Sequence, residues 1–216
     1  MTDFGVWAPT AERVRLRLAA GDEHDLHRTA GGWWSVDVPS AGPGTDYAFL
    51  LDDAGDALPD PRSAWQPAGV HGPSRIYDHA AFGWTDGGWT GRQLPGSVLY
   101  ELHIGTFTPE GTFDAAIDRL DHLVDLGVDL VELLPVNAFN GNHNWGYDGV
   151  CWFAPQETYG GPDGLKRLVD ACHARGLGVI LDVVYNHFGP SGAYAPRFGP
   201  YLADAHNPWG RSVNLD

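Results

Sequence analysis

The residues of this chain best placed to do chemistry stand in one short run. Val179 to Pro190 reads VILDVVYNHFGP, an apolar, β-branched stretch that ends in Asp182, Asn186 and His187, so polar side chains sit where a buried parallel strand opens into a loop. By residue type and spacing alone, three roles are open to Asp182: catalysis, hydrogen bonding to sugar hydroxyls, or a charge-assisted pair with a neighbouring arginine. His187 can donate to a hydroxyl. Upstream, NHNWGYDGV from Asn142 to Val150 contributes Trp145, Tyr147 and Asp148. The ring of Tyr147 can lie under a sugar, whose C–H faces pack on flat aromatic surfaces while its hydroxyls need polar partners. The competing reading of each of these residues is a packed core aromatic or a capped loop.

Other chemistries fit poorly. GTDYAFLLDDAGD lacks spaced glycines before a helix, and YGGPDGLKRL follows a loop, so neither forms a phosphate cradle. His143, His173, His187 and His206 show no HExxH or CxxC spacing, and no metal or cofactor is expected.

The elements that must position these residues begin at Ser97. Val98 to Ile104 reads as a strand, and Thr112 caps a helix in which Ile117, Leu120 and Val124 recur at helical spacing until Gly127 ends it. Val128 to Leu134 is a second strand, stopped by Pro135. The polar loop that follows is longer than a plain strand-to-helix connection needs. Leu165, Leu168, Val169 and Cys172 give the face of a second helix, with Gly176 as its stop, and Val179 to Val184 is a third strand. The three strands are expected to be adjacent and parallel with right-handed crossovers. Such units make either a doubly wound sheet or a barrel, and in both the loops at the C-terminal edge carry the chemistry. Tyr147 and His187 are expected on that edge, with Asp182 the lone carboxylate among the strand ends.

The preceding part reads as β. Val14, Leu16 and Leu18 alternate with Arg13, Arg15 and Arg17; Trp34, Val36 and Val38 alternate with Ser35 and Asp37; Tyr47 to Leu51 is a short apolar run. Short strands separated by Gly, Pro and Asp predict an antiparallel sandwich over residues 1–80, either an appendage or a glucan-binding part. Residues 81–96 then form a linker, and 97–216 the strand-helix unit. LPDPRSAWQPAGVHGPS is too rich in proline for regular structure. Its Trp65, Gln66, His71 and Arg75 either pack between the two parts or reach a substrate.

With 216 residues and 43% hydrophobic content the chain can bury a real core, and its net charge of −15 argues against nucleic acid and anionic membrane partners. Two cysteines, Cys151 and Cys172, are too few for a disulfide scaffold and are expected to be buried thiols. The first residues lack a basic region followed by an apolar run, which predicts a cytoplasmic protein.

DVVYNH resembles the first conserved region of the α-amylase superfamily of glycoside hydrolases. Within that superfamily, YELHIGTFTPEGTF, VELLPVNAF, NHNWGYDGV, the run from Phe153 to Pro190 and the upstream LPDPRSAWQPAGVHGPS are similar to the malto-oligosyltrehalose trehalohydrolase family. Branching enzymes and isoamylase-type debranching enzymes share the domain order and the DVVYNH element. The resemblance implies an immunoglobulin-like β-sandwich followed by the first three units of a (β/α)8 barrel. It also implies a retaining α-glycosidase that releases trehalose from maltooligosyl trehalose, with a pathway link to a maltooligosyltrehalose synthase. By position, Tyr147 resembles the tyrosine that stacks under the sugar at the cleavage point and His187 the histidine that hydrogen-bonds it; Asp182 and Asn186 resemble supporting residues, and Trp145 and Asp148 belong to the same site. The family's aspartate nucleophile, its glutamate acid/base and a third aspartate lie on later strands, and RSVNLD lacks the apolar strand that the nucleophile motif requires. A retaining glycosidase needs two carboxylates about 5 Å apart, and a barrel needs roughly 250 residues, so the chain is expected to be an inactive fragment. A 1,4-α-glucan branching enzyme and a non-catalytic α-glucan-binding protein are the alternatives.

Overall fold

The computed structural model describes residues 3–215; Met1, Thr2 and Asp216, the last residue of RSVNLD, lie outside them. The described chain opens with short strands: β1 (Asp3–Trp7), β2 (Val14–Leu18), β3 (Glu23–Asp25), β4 (His27–Arg28), β5 (Trp33–Asp37), β6 (Asp46–Leu51) and β7 (Ser74–Arg75). They form two antiparallel sheets, in the orders β1-β5-β4 and β3-β2-β6-β7. The period of two decides which residues face inward. Val14, Leu16 and Leu18 are buried against Phe4, Val6, Trp34 and Phe49, while Arg15 and Arg17 turn outward to Glu23, at 2.6 and 2.8 Å. This core takes a residue from far along the chain: Phe198 is buried within it, edge-on to Phe49 with ring centroids 6.2 Å apart.

The proline-rich stretch has little regular structure, yet it is tied down along its length. Trp65 Nε1 donates to Glu157 Oε2 at 2.7 Å, the Arg75 guanidinium lies 4.9 Å over the Trp65 ring, and His71 Nδ1 meets the Tyr194 hydroxyl at 2.7 Å. Gln66 is buried. Trp65 and His71 therefore join the two parts of the molecule, Arg75 braces Trp65 from Asp46, and Gln66 bonds within its own stretch, to Gly69 O and Gly72 O. Farther on, Thr85 Oγ1 donates to Asp170 at 2.7 Å, and Trp89 stacks on His173 at 4.4 Å.

The remaining order is β8 (Leu99–Leu102), α1 (Ile104–Phe107), α2 (Phe113–Ile117), α3 (Leu120–Asp125), β9 (Leu130–Leu133), β10 (Asn137–Ala138), β11 (Cys151–Pro155), α4 (Gly161–Ala174), β12 (Gly178–Leu181), α5 (Ala195–Phe198), β13 (Leu202–Asn207) and β14 (Gly210–Val213). Strands β8, β9 and β12 are parallel and adjacent, with β9 central. The strands are shorter than the sequence pattern suggests. Ile104 opens α1 rather than closing β8, and β12 ends at Leu181 because only one further pairing bond, Asp182 N to Leu133 O at 2.9 Å, extends it.

The helix expected from Thr112 to Gly127 is two pieces. Thr112 does cap the first, accepting from Ala115 N at 3.2 Å, but a turn at Asp118 and Arg119, both still in the right-handed helical region, separates it from α3, which starts at Leu120. The buried face runs through Phe113, Ala116, Leu120 and Leu123 at helical spacing, which leaves Val124 to its side and 41% exposed. Phe113, Ala116, Leu120 and Leu123 share a core with Leu102, Val131, Leu133, Leu168 and Cys172. Cys151 and Cys172 are free and buried. Among the described residues no helix is long and apolar enough to cross a membrane.

Candidate functional site

Strand register brings acidic side chains together. Glu101, Glu132 and Ile180 are paired across β8, β9 and β12, and Asp182 lies two residues beyond Ile180, so all three carboxylates share one face of the sheet. The opposite face, with Leu102 and Leu133, is packed into the core. Asp182 is therefore not the lone carboxylate of this region. Glu101 and Glu132 were missed because each reads as a single polar interruption of an apolar strand; only the pairing reveals that the interruptions coincide.

Tyr147 reaches this group from the 137–148 loop. Its hydroxyl donates to Asp182 Oδ2 at 3.2 Å, and its ring remains 45% exposed. Partial burial raises the phenol pKa first, and the bond to Asp182 and the negative charges of Asp182, Glu101 and Glu132 raise it further. The phenol is accordingly a neutral donor with an open ring face.

The loop holds its shape through local bonds and close approaches. Gly146 N donates to Asn144 Oδ1 at 2.8 Å and Asn144 Nδ2 donates to Asp148 Oδ2 at 3.2 Å. His103, just past β8, meets Asn144 O at 2.8 Å through Nε2, and the Tyr159 hydroxyl lies 3.2 Å from the same nitrogen. Gly146 has φ +98, and a Cβ there would stand 2.1 Å from Pro135 O; the backbone crosses too closely for any side chain. The exposed indole of Trp145 stands 5.0 Å from the His103 ring, and with Asn142, Asn144, His103, Thr106 and Tyr159 it bounds a cavity of about 310 Å³. His103 and Tyr159 were not foreseen as site residues. The position of His103 directly after a strand, like that of Asp182, is the signal that could have found it.

His187 lies on the loop that follows β12. It is 8% exposed, its Nδ1 is 3.2 Å from Asn186 Oδ1, and its ring stacks on Trp209 with centroids 6.0 Å apart. Asn186 anchors the β13–β14 hairpin that carries Trp209, its carbonyl accepting from Val213 N and Asn207 Nδ2, both at 3.3 Å. Among the described residues no hydrogen bond or ring contact joins His187 to Tyr147 or Asp182, but the two loops run together: Gly189 N donates to Gly149 O at 3.1 Å, and a Cβ on Gly189 would meet Asp148 O at 2.0 Å. Of the six residues expected, Tyr147 and Asp182 are in contact, Trp145 and Asp148 flank them on the loop, and Asn186 and His187 follow on the adjoining loop. Among the described residues no group of three His, Cys, Asp or Glu side chains is placed to hold a metal ion.

An open aromatic ring, neutral donors and carboxylates at the C-terminal edge of parallel strands suit a polyhydroxylated, uncharged ligand. Comparison with known proteins agrees: residues 72–199 match the alpha amylase catalytic domain. The chain belongs to the α-amylase family. Residues 1–65 match carbohydrate-binding module 48, the isoamylase N-terminal domain, so that module precedes part of an α-amylase catalytic domain. Over 99% of its length the chain is 59% identical to a malto-oligosyltrehalose trehalohydrolase of Rhizobium sp., and it spans 37% of that relative. Identity to a 1,4-alpha-glucan branching enzyme of Vibrio parahaemolyticus is 35%, over 86% of this chain and 27% of that one. A solved structure described as a putative alpha amylase from Salmonella typhimurium superimposes with a TM-score of 0.93 at 44% identity, covering 98% of this chain and 36% of the other.

Proposed function

We propose that this α-amylase family chain is the sugar-binding part of a malto-oligosyltrehalose trehalohydrolase, a retaining enzyme that cleaves the α-1,4 bond next to the terminal trehalose of maltooligosyl trehalose and releases trehalose. The observation that carries the reading is the 59% identity, along 99% of the chain, to a protein of that name, against 35% to a branching enzyme. The geometry supports the sugar-binding role. The Tyr147 ring is the floor for the sugar at the cleavage point, Asp182 fixes the phenol and accepts from sugar hydroxyls, and His187 donates to the same sugar once its loop closes on the ligand. Trp145 extends the aromatic surface, and Asp148 and Asn186 hold the two loops. In this reading β8, β9 and β12 are the first three strands of a (β/α)8 barrel, and the nucleophile and proton donor stand on strands that follow in the longer relatives. The substrate comes from a synthase acting on maltooligosaccharide ends.

The test is a chimera in which this chain replaces the matching 37% of the Rhizobium relative. Given maltotriosyl trehalose it should release free trehalose, and given amylose it should form no α-1,6 branches. Branch formation without trehalose release would establish the alternative instead.

A further inference from the structure

The loop that carries Trp145 and Tyr147 is tied at its ends, where Gln156 Nε2 donates to Gly141 O at 2.9 Å and Gly189 N to Gly149 O at 3.1 Å. In its middle, the bonds of Asn144 to Gly146 N and Asp148 fix a local shape but join it to nothing outside. An outside anchor for the middle comes from His103. This residue follows β8 directly, and its carbonyl accepts from Thr106 N at 3.0 Å and Phe107 N at 2.9 Å, so the first turn of α1 holds its backbone. Its ring is closely framed. A Cβ on Gly105 would stand 2.9 Å from the His103 Cε1, and the Tyr159 ring meets the imidazole edge-on with centroids 6.0 Å apart. Asn144 O can only accept, so the 2.8 Å contact requires the proton of the neutral imidazole to sit on Nε2; Nδ1 is then left to accept from the Thr106 hydroxyl at 3.2 Å. The second lone pair of the same carbonyl takes the Tyr159 hydroxyl, at 3.4 Å the weaker donor.

We infer that His103 is a positioning residue for the sugar site: its Nε2–H pins the Asn144 carbonyl and so sets the Trp145 and Tyr147 rings in place before a ligand arrives. The inference rests on the reading that Tyr147 is the floor of that site. The chain of contacts is short. Trp145 follows Asn144 directly, and its indole leans on the His103 ring at 5.0 Å. Gly146 N turns back to the Asn144 side chain, and Tyr147, one residue on, is caught by Asp182. Both exposed rings therefore take their direction from one backbone carbonyl. A loop ordered only when the sugar binds would lose affinity to its own ordering, and a donor fixed at a strand end removes that loss. Histidine suits the task because its donor sits on the far side of a short, rigid ring. Phenylalanine would fill the same space without the donor, whereas glutamine would offer an N–H at similar reach.

The experiment compares His103→Phe with His103→Gln in two assays. In the 216-residue protein, amide hydrogen exchange is followed at Gly146, whose N–H is bonded within the loop, and along α4 as a reference for the rest of the fold. His103→Phe should speed exchange at Gly146 by about fivefold, the factor that one neutral hydrogen bond is worth, and leave α4 as in the parent; His103→Gln should restore the parent rate. In the chimera with the Rhizobium relative, kcat/KM for trehalose release should fall about fivefold with His103→Phe and recover with His103→Gln. Two variants that behave alike in either assay would overturn the inference. So would exchange that speeds equally along α4, since that marks a general loss of stability and not a misplaced loop. A chimera that releases no trehalose with His103 intact would refute the functional reading by itself, and exchange at Gly146 would then decide the role of His103 alone.

Discussion

Tyr147 offers the sharpest test of the site, because two substitutions separate its ring from its hydroxyl. The ring is 45% exposed; covering that remainder with a sugar removes roughly 90 Å² of largely apolar surface from water, worth about 2 kcal/mol at ~25 cal/mol per Å². Tyr147→Ala should therefore weaken binding of maltotriosyl trehalose by about thirtyfold. Tyr147→Phe keeps the ring and loses only the 3.2 Å bond to Asp182. Bonds to charged acceptors contribute about 1.5 to 3 kcal/mol, but this one is half open to water, which brings it to roughly 1 kcal/mol and caps the loss near fivefold. The assay is calorimetric titration of each protein at neutral pH, where the raised phenol pKa keeps Tyr147 protonated. Equal losses for Phe and Ala would show that the ring is not the floor of the site. An unaffected Ala variant would remove Tyr147 from the site altogether.

Three further outcomes follow from particular contacts. Gly146→Ala, at φ +98 with Pro135 O at 2.1 Å, should cost about 3 kcal/mol in urea unfolding, whereas Gly141→Ala, at φ +90 with open space around it, should cost about 1 to 2 kcal/mol; equal losses would mean the crossing at Pro135 is not tight. Burial pushes the Cys151 and Cys172 thiols up to about 12, so a thiol-specific disulfide reagent at pH 8 should label neither in the native protein and both in urea; rapid native labelling would contradict their burial. The Asp114 carboxyl is held below its ordinary pKa chiefly by its bond from Arg167. A depressed folded pKa stabilises above the unfolded value, near pH 4, and that stabilisation fades as pH falls through the folded pKa. Urea midpoints of the parent and Asp114→Asn should accordingly differ at pH 6 and converge near pH 2, and a gap that widens in acid would refute the pairing.

Local pattern carried some elements and failed at others for identifiable reasons. Val14, Leu16 and Leu18 were legible because one face of β2 is buried and a one-residue slip would expose all three. The Leu165–Cys172 face was legible because α4 is a single uninterrupted helix of 14 residues. The Thr112–Gly127 segment was misread at Val124 because helical spacing after Leu120 allows either Leu123 or Val124 on the apolar face, and the core takes Leu123. At the site, Tyr147 and Asp182 stand in segments whose polarity breaks an apolar run, which a sequence shows directly. Glu101, Glu132 and Trp209 were invisible because their nearness depends on strand register and on a hairpin anchored at Asn186, whereas His103 stands directly after a strand and only its partner, the loop that folds back to it, is non-local.

The same non-local logic bears on the amino-terminal sheets. A sandwich that was only an appendage would complete its own core, yet Phe198 is buried in it, and Tyr194 and Tyr201 pack against it from either side of α5. These residues follow directly on the loop that holds Asn186 and His187. The opposite side is fastened by Trp65 to Glu157, just ahead of α4. Movement of the sandwich would therefore pull on the chain that leads away from His187, at one end, and on the helix that precedes β12 and Asp182, at the other. Packing of this kind makes the sandwich part of what positions the site, whether or not it touches sugar.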